Sequence, residues 1–241
     1  MRQLFLFVLF LLPALAGAQA TKMIKKGSPY FREQFEVLAD DRSVREGAYK
    51  KFSLERNTLL EEGQYAANQR VGVWTFYDGN GNPELEYDYS LKKVNSMNRK
   101  HFAESVAQVM VGDSVRQIFL DRGPVYLASS VQVYSTMARE ARIPAHLARS
   151  GQQVFSFKVL ATVSASGAVY RVLPSNPDAE FMKTSKQAAR LAFEGVEWVP
   201  AVHEQTPITA TYLFSDILLT SGYSASTPVP VRSQIETRRI N

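Results

Sequence analysis

A strict alternation of apolar and polar positions is clearest past the middle of the chain. Phe155, Phe157, Val159, Ala161 and Val163 alternate with Ser156, Lys158 and Thr162, which predicts a strand with one buried face, although Val154 and Leu160 interrupt the pattern. Ser166-Gly167 supplies a turn, Ala168 to Leu173 returns, and Pro174 to Pro177 ends the strand. Upstream, Val131, Tyr134, Met137, Ala138 and Ala141 recur at helical spacing, predicting a helix over Ser130 to Ala141 that Pro144 interrupts. Ala145 to Arg149 has room for one short helical turn. Downstream, Pro177 suits the first position of a helix capped by Asn176, running through Phe181, Met182, Ser185, Ala188, Ala189, Ala192 and Phe193 to Gly195. Trp198-Val199-Pro200 reads as extended, Glu204 to Pro207 as a turn, and Ile208 to Leu219 as a last strand. In that strand Ile208, Ala210, Tyr212 and Phe214 face the core, while Thr209, Thr211, Leu213 and Ser215 point away.

The first half carries a weak repeat between about 30 and 94. Gly47-Ala48-Tyr49-Lys50-Lys51-Phe52 aligns with Gly72-Val73-Trp74-Thr75-Phe76-Tyr77 at a step of 25 residues, and the same step maps Leu60-Glu61 onto Leu85-Glu86. Carried backwards it reaches Phe35-Glu36, so Tyr30 to Leu38 forms a leading half-unit. In the clearest copy, Val73 to Tyr77 precedes Asp78-Gly79-Asn80-Gly81-Asn82, and Leu85, Tyr87 and Tyr89 then share one face. That is a hairpin signature. An ordinary antiparallel meander with aromatic cross-strand pairs gives the same pattern. Between the halves, Val106 to Val111 and Val115 to Leu120 flank Gly112-Asp113-Ser114 as a further hairpin, with a helix over Lys100 to Met110 as the alternative.

The first twenty residues read differently. Arg2 precedes an apolar run from Leu4 to Leu15, and Ala16-Gly17-Ala18 and Ala18-Gln19-Ala20 both offer small-x-small cleavage sites. A spanning helix needs about 20 apolar residues. This run is shorter and contains Pro13, so we expect a signal peptide cleaved after Ala18 or Ala20 and an exported, periplasmic protein. The chain has no cysteine, which excludes a disulfide framework and a thiolate nucleophile. The formal net charge of +5 is modest, and Lys and Arg are scattered among Asp and Glu. Nucleic-acid binding would require those cations on one face. After Gly222 the chain is rich in Ser, Thr, Pro and Arg without apolar periodicity, the composition of a disordered tail.

Candidate chemistry is sparse. His101, His146 and His203 lie far apart at no metal-ligand spacing, and His146, after Pro144-Ala145, reads as a surface or capping residue. No nucleophile elbow or phosphate-cradling glycine loop occurs. Glu61-Glu62 and Asp40-Asp41 are adjacent pairs, whose members point to opposite faces of a strand, and read as solvated charge. Trp74 and Trp198 sit in core-like strand motifs. The expectation is no enzyme, no metal and no cofactor.

Two resemblances add to this. Gly72-Val73-Trp74-Thr75-Phe76-Tyr77 with its Gly-containing turn resembles divergent bacterial MORN-type repeats, over about two and a half units; Tyr49 stands where Trp is usual, and Ser53 to Thr58 replaces a Gly turn. Ile143-Pro144-Ala145, Ser150-Gly151-Gln152, Ser166-Gly167-Ala168-Val169 and Trp198-Val199-Pro200-Ala201 fall in the order and spacing of the TonB C-terminal domain, which the segment from Asp121 to Leu219 resembles. Ile143 replaces the family's Tyr, and Ser166 its hairpin Asp. The fold class so implied is α+β: antiparallel hairpin repeats followed by a β-β-α-β domain with a preceding helix. The expected division is 1–20 signal peptide, 21–94 repeats, 95–120 connector with strands, 121–221 TonB C-terminal-like domain and 222–241 tail.

In that family an exposed sheet edge receives an extended motif from outer-membrane receptors. The resemblance therefore implies a module that binds peptide segments of envelope or outer-membrane proteins by edge-strand addition, through Thr209, Thr211, Leu213 and Ser215. A blunted edge that binds nothing is the bland alternative. A TonB-type energy transducer supporting outer-membrane transport is another, but it would retain its hydrophobic leader and carry a long Pro-rich spacer where the repeats stand. No nucleic acid or small-molecule cofactor is implied.

Overall fold

The computed structural model describes residues 19–99, 106–111 and 114–221. The expected leader up to Ala18, His101, the turn residues Gly112 and Asp113, and the tail from Gly222 lie outside the described residues. The molecule is mixed, with one large antiparallel sheet of seven strands, smaller sheets and few helices.

The large sheet is a meander in which each strand pairs with its neighbours in sequence order. Its strands are β1 (Thr21–Gly27), β2 (Phe31–Leu38), β3 (Arg45–Ser53), β4 (Leu59–Ala66), β5 (Gln69–Tyr77), β6 (Pro83–Asp88) and β7 (Lys93–Met97). The 25-residue step is visible in the packing. Tyr49 and Trp74 occupy equivalent buried sites, but the returning strand is out of step: Glu61 pairs with Lys51 where Leu85 pairs with Phe76, and Leu60 lies buried at a bulge. The turn after β5 closes on Asp78, whose carboxylate accepts from the backbone of Asn80 and Asn82, with Gly81 at φ 80°. Gly63 is required by contact: a Cβ there would fall 2.3 Å from the Trp74 indole, which lies across the β4 backbone. Two strands escape the sequence pattern. β1 is exposed along almost all its length and lacks alternation, yet it pairs with β2 from Thr21↔Leu38 to Gly27↔Arg32. β7 carries the sheet beyond the expected boundary at residue 94.

A two-stranded hairpin of β8 (Val106–Val111) and β9 (Ser114–Phe119) follows. The second half then comprises β10 (Val125–Leu127), α1 (Ser130–Glu140), α2 (Ala145–Ala148), β11 (Val154–Ser164), β12 (Gly167–Pro174), α3 (Ala179–Ala192), β13 (Glu197–Val199), β14 (Ala201–His203), β15 (Thr206–Ile208) and β16 (Ala210–Thr220). β11 is the centre of a three-stranded antiparallel sheet in the order β12-β11-β16. Its apolar face, Phe155, Phe157, Val159, Ala161 and Val163, is completely buried against Val133 and Met137 of α1 and Phe181, Ala188 and Ala192 of α3.

Several expectations require correction. α3 is capped by Asp178, not Asn176; the Asp178 carboxylate accepts from the Phe181 amide at 2.9 Å, while Asn176 holds the Asp178 amide. α1 buries Gln132, Val133, Thr136, Met137 and Ala138, a wider arc than the predicted stripe with Val131 in it, because it packs on both halves of the molecule. The last strand begins at Ala210, not Ile208: Ile208 belongs to β15 and pairs with Ala201. Glu61 is not solvated but 1% exposed.

The two halves are joined by polar bonds as well as packing. Val125 and Leu127 of β10 sit in the same apolar cluster as Phe35, Tyr49, Trp74 and Phe76. Glu84 on β6 reaches the first turn of α1, where its carboxylate accepts from the Ser130 amide and hydroxyl, both at 2.6 Å. Ser129, the N-cap residue, instead donates its hydroxyl to Tyr77 O. Arg99 lies 3.4 Å from Glu84, stacks on the Tyr126 ring and donates to the carbonyls of Tyr126 and Ala128.

Candidate peptide-docking edge

Among the described residues β16 hydrogen-bonds to β11 on one side and to no other strand, although the β8–β9 hairpin approaches it near Ala210. Which of its backbone groups face outward follows from two bonds. Ser221 N donates to Gln153 O, and on the other side of β11 Ser175 N donates to Ser156 O. In a strand the N–H and C=O of one residue point the same way and alternate along the chain. Odd-numbered residues of β11 therefore face β16. Their partners Phe214, Tyr212 and Ala210 point inward, leaving the backbone groups of Thr211 and Leu213 directed to the open side.

The four residues expected at this edge are not equivalent. Thr211 and Leu213 lie on the continuous ladder, with exposed side chains. Thr209 is exposed but precedes the strand, as the single residue linking β15 to β16. Ser215 falls with Asp216 at a bulge, where two exposed residues interrupt the alternation between Phe214 and Ile217. Tyr134 of α1 also hydrogen-bonds Ser215, one of the influences that oppose burial in raising the Tyr134 hydroxyl pKa. The bulge thus limits the regular edge to the first half of β16. At its start, Ala210 packs with Ala201, Ile118, Leu120 and Ile208.

The strand is held from behind by an aromatic cluster. Tyr126 meets Tyr212 edge-on at 5.6 Å and Phe214 at 5.3 Å, and Trp198 packs on both. Trp198 Nε1 donates to the Tyr170 hydroxyl at 2.8 Å. Burial pushes the Tyr212 hydroxyl well above its ordinary range, so it stays protonated. Such a backing fixes the strand without using its outer edge.

A second polar site was not visible in the sequence. Glu61 projects from β4 into the buried face of the large sheet, 2.7 Å from Lys51 Nζ and 3.7 Å from Arg70 Nη2, and Lys51 Nζ also donates to Gln132 of α1 at 3.0 Å. Burial alone would raise the Glu61 carboxyl; Lys51 and Arg70 outweigh it and hold the group below its ordinary value. Arg70 stacks over Trp74 and donates to the Tyr89 hydroxyl, as Arg45 stacks over Phe35 and donates to Tyr65. Arg45 and Arg70 are one repeat step apart, a signal present in the sequence. Glu62 points to the opposite face, where it accepts from Tyr77 and pairs with Lys50; burial and that carboxylate push the Tyr77 hydroxyl up to about 12.

The described histidines are separate. His146 Nε2 lies 2.8 Å from the Asp178 carboxylate at the start of α3, and His203 Nδ1 is 2.8 Å from Phe119 O. Among the described residues no group of three His, Cys, Asp or Glu side chains is placed to hold a metal ion, and no helix is long and apolar enough to cross a membrane. No family model, curated protein or solved structure matches the chain.

Proposed function

We propose that this chain is an exported envelope protein-interaction module: a TonB C-terminal-like domain behind MORN-type repeats, taking extended peptide segments of envelope or outer-membrane proteins by strand addition at β16. The observation that carries the reading is the one-sided pairing of β16, with the backbone of Thr211 and Leu213 directed outward and their side chains exposed. An extended peptide laid there finds unpaired donors and acceptors at strand spacing, and the exposed Leu213 offers apolar contact to a neighbouring side chain.

The test uses a proline that removes the outward donor without touching the β11 ladder. Tagged protein is used to capture partners from envelope extract, in parallel with Leu213→Pro and Leu213→Thr. Proline should abolish capture of the specific partners, and threonine, which keeps the amide, should retain them. Equal capture by all three would refute strand addition at this edge. The mature N-terminus, read by mass spectrometry, bears on export: a start at Gln19 or Thr21 supports the soluble module, and a retained Met1 supports the energy transducer.

A further inference from the structure

The three-stranded sheet has a second free edge, on β12, and a different kind of surface flanks it. Lys158, Leu160, Thr162 and Ser164 of β11 face β12, so their partners Leu173, Arg171, Val169 and Gly167 point their backbone groups inward. The N–H and C=O groups of Ala168, Tyr170 and Val172 are then directed to the open side. Beside them, between β12 and α3, runs a cleft of about 790 Å3. Its apolar floor is built from Tyr170, Val172, Met182, Ala189 and Phe193. Tyr170 and Phe193 stack at 4.5 Å with an interplanar angle of 11°, and the Trp198 bond to the Tyr170 hydroxyl fixes the ring. The floor is therefore formed in advance of any ligand.

The rim is cationic. Arg171, Lys186 and Arg190 are exposed around the cleft against one acid, Glu194. None of the three cations has a carboxylate within 4.0 Å among the described residues; Arg190 only meets the Gln187 amide oxygen. We propose that the cleft between β12 and α3 is a second peptide site, which takes an extended, acidic segment of a partner protein by strand addition to β12. Successive side chains of an added strand would alternate between the cleft and the outer face. Every second residue thus enters the groove, where acidic groups meet Lys186 and Arg190 and apolar groups meet the floor. The chain's own tail does not suit the site: Arg232, Arg238 and Arg239 outnumber Glu236, and the chain enters it from β16, at the opposite edge of the sheet.

Fluorescence anisotropy with labelled octapeptides, (Glu-Thr-Val-Thr)2 and (Lys-Thr-Val-Thr)2, in which the charged and apolar residues share the face that enters the groove, tests the proposal on the full mature chain. The acidic peptide should bind, and the basic one should bind at least about ten-fold more weakly. The double variant Lys186→Glu/Arg190→Glu, on exposed helix positions, should reverse that preference, and Lys186→Gln/Arg190→Gln should reduce it by a smaller factor. N-methylating every amide of the acidic peptide should abolish its binding, because it removes the donors needed to pair with the strand. Leu213→Pro should leave it unchanged, which separates this site from the one on β16. Absence of binding, equal binding of the two peptides, an unaltered preference in the charge-reversed variant, retained binding of the methylated peptide or loss in Leu213→Pro would each overturn the proposal.

Discussion

Glu61 shows how much a single buried charge organises. At 1% exposure it has given up its hydration, and only the ammonium of Lys51 and the guanidinium of Arg70 make that tolerable. Replacing it by alanine would leave two cations facing a largely buried site, so Glu61→Ala should destabilise the protein by about 3–5 kcal/mol in urea unfolding. A loss under 1 kcal/mol would show that Lys51 and Arg70 find other partners. The charge also predicts a pH dependence. The folded carboxyl lies below its ordinary value of 4.5. Its contribution is complete above that value and disappears as pH falls through the lower folded one. Stability in wild type should therefore drop more steeply below pH 4.5 than in Glu61→Gln, a comparison that pH-dependent thermal melts can make. The sequence pair Glu61-Glu62 did announce opposite faces, but not that one face would be covered by Val125 and Leu127 of β10 and reached by Gln132 of α1.

Among the elements, α1 has its start completed by a residue from a distant strand. A helix leaves its first amides without internal partners, and a nearby anion also favours the positive end of the helix dipole. Here Ser129 makes no side-chain cap, and Glu84 from β6 accepts from Ser130 instead. Glu84→Ala should thus cost about 2 kcal/mol, by losing the cap and leaving Arg99 without its carboxylate. Glu84→Gln, which keeps an acceptor, should cost less; equal losses would show that shape, not the hydrogen bond, matters. α3, by contrast, is capped locally by Asp178, two residues from the Asn176 that the sequence suggested. Local signals of that kind are legible to within a residue or two. A cap supplied by another strand is not.

At the scale of the whole molecule, the bonds of Arg99 and Glu84 and the shared cluster of Val125 and Leu127 with Trp74 and Phe76 join the halves into a continuous structure. The prediction is a single calorimetric unfolding transition for the wild-type chain. Arg99→Ala removes two backbone-directed bonds, the stacking on Tyr126 and the pairing with Glu84, so it should separate the melt into two transitions. One sharp transition in that variant would place the coupling in apolar packing alone.

Period-two alternation placed β11 and the inward series Ala210, Tyr212 and Phe214 of β16, because burial of one face of a strand is written directly into neighbouring residues, and the turn at Ser166-Gly167 placed β12. The 25-residue step likewise located the aromatic centre of the large sheet at Tyr49 and Trp74. Tertiary structure decided the rest. β1 is a strand because β2 offers it a free edge, although its own residues carry no pattern. The bulge at Ser215, the partners of Glu61, and the cleft beside β12 all depend on segments far apart in sequence meeting in space. Periodicity reports which side of an element is buried, whereas a site made of backbone edges and distant charges exists only once the sheet order is set.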